Sequence, residues 1–150
     1  MDIFTPQQRS RNMSLIHSKD TKPELVLRSA IHRAGFRFRK NDRRYIGTPD
    51  LILPRYNAVI FIHGCFWHGH ENCRLFRLPK TNTEYWTKKI SRNKERDRQI
   101  VQTYLDNSFR VGIVWECSLT GKKTKEKIAY TTGQISLWLE EELSENYREF

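Results

Sequence analysis

The sequence predicts an α/β fold, a mixed β-sheet with helices on both of its faces, and three observations lead to it. Three short apolar runs, Asp50-Leu-Ile-Leu53, Ala58-Val-Ile-Phe-Ile-His63 and Arg110-Val-Gly-Ile-Val-Trp-Glu116, have the length and branched side chains of buried strands. A stretch with helical spacing, from about Thr83 to Asp106, separates the second run from the third. A helix between two strands of one sheet makes a crossover, so part of the pairing is parallel. Finally, 150 residues, 37% hydrophobic and 12% aromatic, suffice for one packed core without disulfides. No internal repeat, low-complexity tract or Gly/Ser linker divides the chain.

Residues 1–20 form a polar, basic arm with Arg9, Arg11 and Lys19, expected to be partly disordered when free, and residues 21–150 read as a single domain. Thr21-Lys-Pro-Glu24 opens a helix: Thr21 can cap it, Pro23 suits its first turn, and Glu24 stands at the capping-box position. Leu25, Leu27, Ala30 and Ile31 supply its apolar surface, and Gly35 stops it. Phe36 to Arg39 alternates and reads as a short strand. Gly47-Thr-Pro49 and Pro54-Arg-Tyr-Asn57 are turns on either side of the first buried run. In the long helix, Trp86, Ile90, Ile100, Val101, Tyr104 and Leu105 mark the apolar positions. A last helix runs from about Lys122 to Glu142 with Ile128, Ile135, Leu137 and Trp138. The predicted order is α-β-β-β-α-β-α.

Lys plus Arg is 27 and Asp plus Glu is 17, a net charge of +10. So basic a domain suits a polyanion, because neutralising phosphates releases counterions; the alternative is a surface that only aids solubility. Between Arg74 and Arg98 nine basic residues stand against three acidic ones, with Phe76, Tyr85 and Trp86 among them. That interleaving suits nucleic acid, whose bases stack on aromatic rings. No apolar run is long enough to span a membrane. Met1-Asp-Ile-Phe-Thr-Pro6 has no signal-peptide apolar region, so the expected compartment is the cytoplasm, in association with the nucleoid.

The three cysteines, Cys65, Cys73 and Cys117, are an odd count that argues against a disulfide framework. Cys65-x4-His70-x2-Cys73 gathers soft ligands, and Cys117 lies just past a predicted strand. Together they complete a Cys3His set, the closed structural zinc type with no open position for catalysis. The alternative is three free thiols and a surface histidine.

Asp50 follows Pro49 at the start of one strand, and the next strand ends at His63. A magnesium ion prefers oxygen ligands; Asp50 can give one and the main-chain carbonyl of Ile62 another. His63 and His68 remain once His70 goes to zinc, and suit general-base and phosphate-stabilising roles. Asp97 on the long helix could orient a histidine base or be an exposed charge paired with a neighbouring arginine. Glu24 is a further candidate acid, although a capping box explains it without function.

These residues together resemble the very short patch repair (Vsr) DNA mismatch endonuclease family. The resemblance runs from about Arg9 to Leu119 and rests on Arg9-Ser-Arg-Asn-Met13, Pro49-Asp50, Val59-Ile-Phe-Ile-His-Gly-Cys-Phe-Trp-His68, Thr83-Glu-Tyr-Trp86, Lys89-Ile90, Asn93, Glu95-Arg-Asp97 and Val114-Trp-Glu-Cys117. It implies a restriction-endonuclease-like core and magnesium-dependent nicking of one strand, 5′ to the thymine of a T:G mismatch. By position it implies Asp50 as the metal carboxylate, His68 as general base with Asp97 as its partner, and His63 as a second catalytic histidine. Cys65, His70, Cys73 and Cys117 match the zinc ligands. Phe66, Trp67 and Trp86 match an aromatic wedge that enters the duplex; ordinary core packing is the alternative for all three. Met13 matches a residue inserted from the minor groove, which makes residues 1–20 a DNA-contacting arm, and Lys89 and Asn93 match positions near the mismatched pair. A MutL-type repair partner, a link to a cytosine methyltransferase and a monomeric state are also implied. The chain departs from the pattern at Ile62, where the family often has threonine, and at Gly69, Glu71 and Asn72, where relatives are richer in histidine. Two other functions stay open: a nickase of broader specificity, and a zinc-stapled DNA-binding module without catalysis.

Overall fold

Alternation along the three apolar runs sends successive side chains to opposite faces, and a helix layer covers each face. The computed structural model describes residue 7 and residues 20–141 and 144–150. Met13, Arg9, Arg11 and Lys19 of the expected arm lie outside the described residues. The elements are α1 (Lys22–Arg33), β1 (Leu51–Leu53), β2 (Ala58–His63), α2 (Thr83–Asp106), β3 (Arg110–Trp115), α3 (Thr124–Glu140) and β4 (Tyr147–Glu149), with 3-10 turns at Pro54–Tyr56 and Glu116–Ser118.

The sheet order is β1-β2-β3-β4. β1 is antiparallel to β2, while β2, β3 and β4 run parallel. α2 is the expected crossover between β2 and β3. On one face Leu51, Leu53, Ala58, Ile60 and Val114 pack with Leu27 and Ile31 of α1 and Ile135 and Trp138 of α3. On the other, Ile52, Val59, Phe61, Val111 and Ile113 pack with Tyr104 and its neighbours on α2. Gly112 makes room for the first layer: a Cβ there would stand 3.3 Å from the Trp138 ring and 3.4 Å from Ile60.

The register of β2 and β3 pairs Ala58 with Arg110 and His63 with Trp115, so the two strands end level. Whatever follows each strand therefore starts from the same rim of the sheet.

Four local expectations change. Phe36 to Arg39 is not a strand: only Arg39 pairs, exchanging two 2.8 Å backbone bonds with Ile52. The left-handed backbone of Asn41 (φ 53°) turns the chain away immediately afterwards. β4 is an additional strand whose residues show no apolar run; it is held by Phe150 against Trp138 (5.7 Å) and by the Phe150 N–H donating to Ile113 O (2.7 Å). Thr21 makes no side-chain cap, and Glu24 Oε2 instead accepts the N–H of Asp20 (2.7 Å). The last helix is shorter at both ends than the 122–142 expected.

α1 is held by its buried face. Leu27→Ala removes a fully buried side chain there and is expected to cost about 2–5 kcal/mol of stability, read from the midpoint of urea unfolding; a cost near zero contradicts this packing.

Candidate functional site

Cys65 comes two residues after the end of β2 and Cys117 two residues after the end of β3. The level register holds these two thiols together. The loop between Cys65 and Cys73 then folds back through tight turns: the His68 N–H donates to Gly64 O (3.1 Å), the Gly69 N–H to Phe66 O (3.2 Å), and the His70 N–H to Cys65 O (2.9 Å). Gly69 has φ +62°, and a Cβ there would meet the Ile90 and Lys94 side chains of α2 at 2.7 and 2.6 Å. Glycine alone lets the loop turn so close to that helix.

The turn delivers His70 to the cysteines. One donor atom each from Cys65, His70, Cys73 and Cys117 lies within 4.8 Å of the others, a group that could hold a metal ion. His70 Nδ1 is 3.5 Å from Cys65 Sγ and 3.6 Å from Cys117 Sγ. A tetrahedral ion bound at about 2.3 Å to sulfur and about 2.0–2.1 Å to imidazole nitrogen has S–N edges of about 3.6 Å. These two S–N separations are those such an ion requires. The His70 ring lies flat on Trp115 (4.0 Å, 3°), which fixes its direction. Burial pushes the Cys65 and Cys117 thiols up, so without a cation they favour the neutral form. At Cys73 burial also raises the thiol, but hydrogen bonds from the Leu75 N–H and the neighbouring thiols outweigh it and the net shift is downward.

The second cluster lines a cleft of about 710 Å³ that includes Glu24, Asp50, Ile62, His63, His68 and Asp97. Asp50 stands just before β1 and Ile62 lies near the end of β2. The Ile62 N–H donates to Asp50 Oδ2 (2.6 Å). The N–H and C=O of one strand residue leave on the same edge, so the Ile62 carbonyl faces the Asp50 side as well. Burial raises Asp50 well above the usual carboxylate range; the Ile62 N–H and Arg28 pull it down, and Glu24 pushes it up. A buried carboxylate, Glu24, beside a half-buried one, Asp50, invites a cation.

Glu24 is buried on α1, within reach of Arg28 (3.4 Å). Sequence reasoning missed Arg28. Its guanidinium reaches Asp50, Glu24, Asp20 and Asn41. The i,i+4 spacing from Glu24 is a visible signal, but a helical arginine ordinarily reads as solvated.

His63 and His68 stack face to face (3.8 Å, 5°). His68 Nδ1 donates to Asp97 Oδ2 at 2.6 Å, leaving Nε2 as the nitrogen that can accept a proton. Burial, aided by the charge of His68, drives His63 down to about 3, so its ring is neutral near pH 7. The structure thus brings together Asp50, Ile62, Glu24, His63, His68 and Asp97.

The aromatic trio meets edge to face: Phe66–Trp67 at 5.2 Å, Phe66–Trp86 at 5.4 Å and Trp67–Trp86 at 5.8 Å. All three are half-buried and belong to neither core layer, so core packing does not account for Trp86. Asn93 Nδ2 donates to Trp67 O (2.9 Å) and so pins the trio to α2. Trp86, Lys89, Asn93 and Asp97 recur every three or four residues, one face of α2 turned toward the loop.

The family model described as DNA mismatch endonuclease Vsr matches residues 1–74. The chain is 50% identical over 121 residues to a type II nicking enzyme, V.NmeAIP, of Neisseria meningitidis, covering 81% of this chain and 86% of that one. It is 43% identical over 138 residues to the DNA mismatch endonuclease Vsr of Escherichia coli, covering 92% and 87%. It is 41% identical over 119 residues to a type II nicking enzyme, V.XorIIP, of Xanthomonas oryzae, covering 79% and 87%.

Cys117→Ser should lower the metal content below that of the parent chain and lower the melting temperature, measured by elemental analysis and thermal unfolding. An unchanged metal content would remove Cys117 from the ligand set.

Proposed function

The chain belongs to the DNA mismatch endonuclease Vsr family, and we propose that it uses the Asp50 cleft to nick one strand of duplex DNA 5′ to the thymine of a T:G mismatch, with magnesium bound in the cleft. The convergence of Asp50, His63, His68 and Asp97 in one cleft carries this reading.

Asp50 and the Ile62 carbonyl would hold the magnesium ion, with Glu24 beside them. When bound, the ion supplies Lewis-acid stabilisation of charge on the phosphoryl and leaving oxygens. His68 accepts the proton of the attacking water at Nε2, and Asp97 holds the ring in the tautomer that makes this possible. His63, neutral and stacked on His68, faces the scissile phosphate. Cys65, His70, Cys73 and Cys117 hold a structural zinc ion that ties the catalytic loop to the end of β3.

Phe66, Trp67 and Trp86 form a wedge that enters the duplex. Inserting an aromatic ring costs a few kcal/mol of unstacking, and less at a poorly stacked wobble pair. Lys89 and Asn93 lie on the wedge's helix face and serve the mismatched pair, and Met13 inserts from the minor groove. The same reading takes a MutL-type repair protein as partner and a cytoplasmic monomer as the acting form. A second reading, nicking over a broader range of sites, is favoured by the relatives whose names state a nicking enzyme and no mismatch.

Two measurements test these assignments. With magnesium and a panel of labelled duplexes, the T:G heteroduplex should be nicked on the thymine strand, and Asp50→Asn should abolish nicking while leaving DNA binding. Equal cutting of all mismatches selects the broader reading, and no cutting by the parent chain leaves a DNA-binding module. Protein purified without added metal should carry about one zinc per chain; a folded, zinc-free protein overturns the structural zinc.

A further inference from the structure

Arg28 is 5% exposed, the only buried arginine among the described residues. A buried guanidinium is costly unless it is paired and fully hydrogen-bonded. Here each arm of the fork is used. Nε donates to the Asp50 main-chain oxygen (3.1 Å) and one terminal nitrogen to Asp20 Oδ1 (2.7 Å). The other donates to Asn41 Oδ1 (3.4 Å) and lies 3.4 Å from Glu24 Oε2 and 3.9 Å from Asp50 Oδ1. Asp20 returns to the same group, since its N–H donates to Glu24 Oε2 (2.7 Å). A single planar cation thus grips the main chain of Asp50 and lies against both carboxylates of the cleft.

Charge alone does not explain that arrangement, because a fixed cation beside two carboxylates repels an incoming metal ion. Orientation does: Glu24 and Asp50 come from different elements, and among the described residues no backbone bond joins α1 to Gly47–Asp50. We propose that Arg28 is a positioning residue, whose fork fixes the Asp50 main chain and holds Glu24 and Asp50 at the spacing a divalent cation needs. The inference rests on the reading of Asp50 as a metal carboxylate.

Arg28→Lys keeps the charge and loses the planar fork, which isolates orientation from electrostatics. Asp20→Asn removes the charge-assisted bond that orients the Arg28 fork while leaving the guanidinium charge beside Asp50. Binding of Mn2+ to the DNA-free protein is followed by the electron paramagnetic resonance signal of the free ion, with Asp50→Asn as reference. Arg28→Lys should weaken Mn2+ binding by roughly 10–100-fold, the range for residues that orient metal ligands. It should raise the half-saturating magnesium for nicking in parallel, with zinc content and metal-free affinity for a T:G duplex unchanged. Asp20→Asn should shift both in the same direction by a smaller factor, and it carries the test if Arg28→Lys does not fold. If both folded variants, or Asp20→Asn alone, bind Mn2+ as the parent does while Asp50→Asn does not, Arg28 is only structural and the proposal is overturned. If Asp50→Asn also binds as the parent does, the metal reading of Asp50 falls and takes this proposal with it.

Discussion

The parallel pairing of β2 with β3 is the constraint on which the site depends. Because His63 stands opposite Trp115, both strands stop at one rim, and the residues that leave them start side by side. That places Cys65 next to Cys117 without any contribution from the loop between Cys65 and Cys73. The loop then has only to return His70, whose ring rests on the Trp115 that the same register positioned. Trp115 is anchored in turn from the C-terminal end, where its indole N–H donates to Glu149 of β4 (3.1 Å). A shift of this register would displace metal donors and histidines together, since His63, Cys65, His68 and His70 all lead off from the end of β2 and Cys117 from the end of β3.

The other half of the cleft is organised by buried charge. Asp50 is lifted by burial and by Glu24, and lowered by the Ile62 N–H and by Arg28. Such an assembly is stable only with every partner in place, because each lone buried charge would cost far more than the pairings return. α1 supplies two of the groups, Glu24 and Arg28, and is itself seated by Leu27 and Ile31 in the core. Hydrophobic packing thus sets where the helix lies, and the polar network sets what its inner face can hold.

α2 links the two sides. One of its faces carries Trp86, Lys89, Asn93 and Asp97, so a rigid helix connects the aromatic trio to the histidine it hydrogen-bonds. In the proposed function this is how engagement of a distorted base pair and alignment of the base could be properties of one element. A wedge carried on a loop would not keep a fixed distance to the cleft; a helix does.

Local pattern accounts for what was legible in the sequence. Short apolar, branched runs marked β2 and β3, and helical spacing marked α2 to its ends, because a 24-residue run leaves little ambiguity in its period. The Cys65, His70, Cys73 and Cys117 set was legible because cysteine is rare and its spacing informative, and the grouping of Asp50 with His63, His68 and Asp97 rested on the family resemblance as well as on strand ends. Tertiary structure alone decided the rest. Phe36 to Arg39 had a strand's alternation but found one partner at Arg39, while Tyr147–Glu149 had no such pattern and pairs because Phe150 is drawn to Trp138. The burial of Arg28, the bond of Glu24 to Asp20 instead of Thr21, and the stacking of His63 on His68 depend on groups distant in sequence or on how one turn meets another. The sequence by itself determined which side chains could bind metal and move protons; only the packed fold decided which of them meet, because that meeting is set by long-range register and by the need to pair every buried charge.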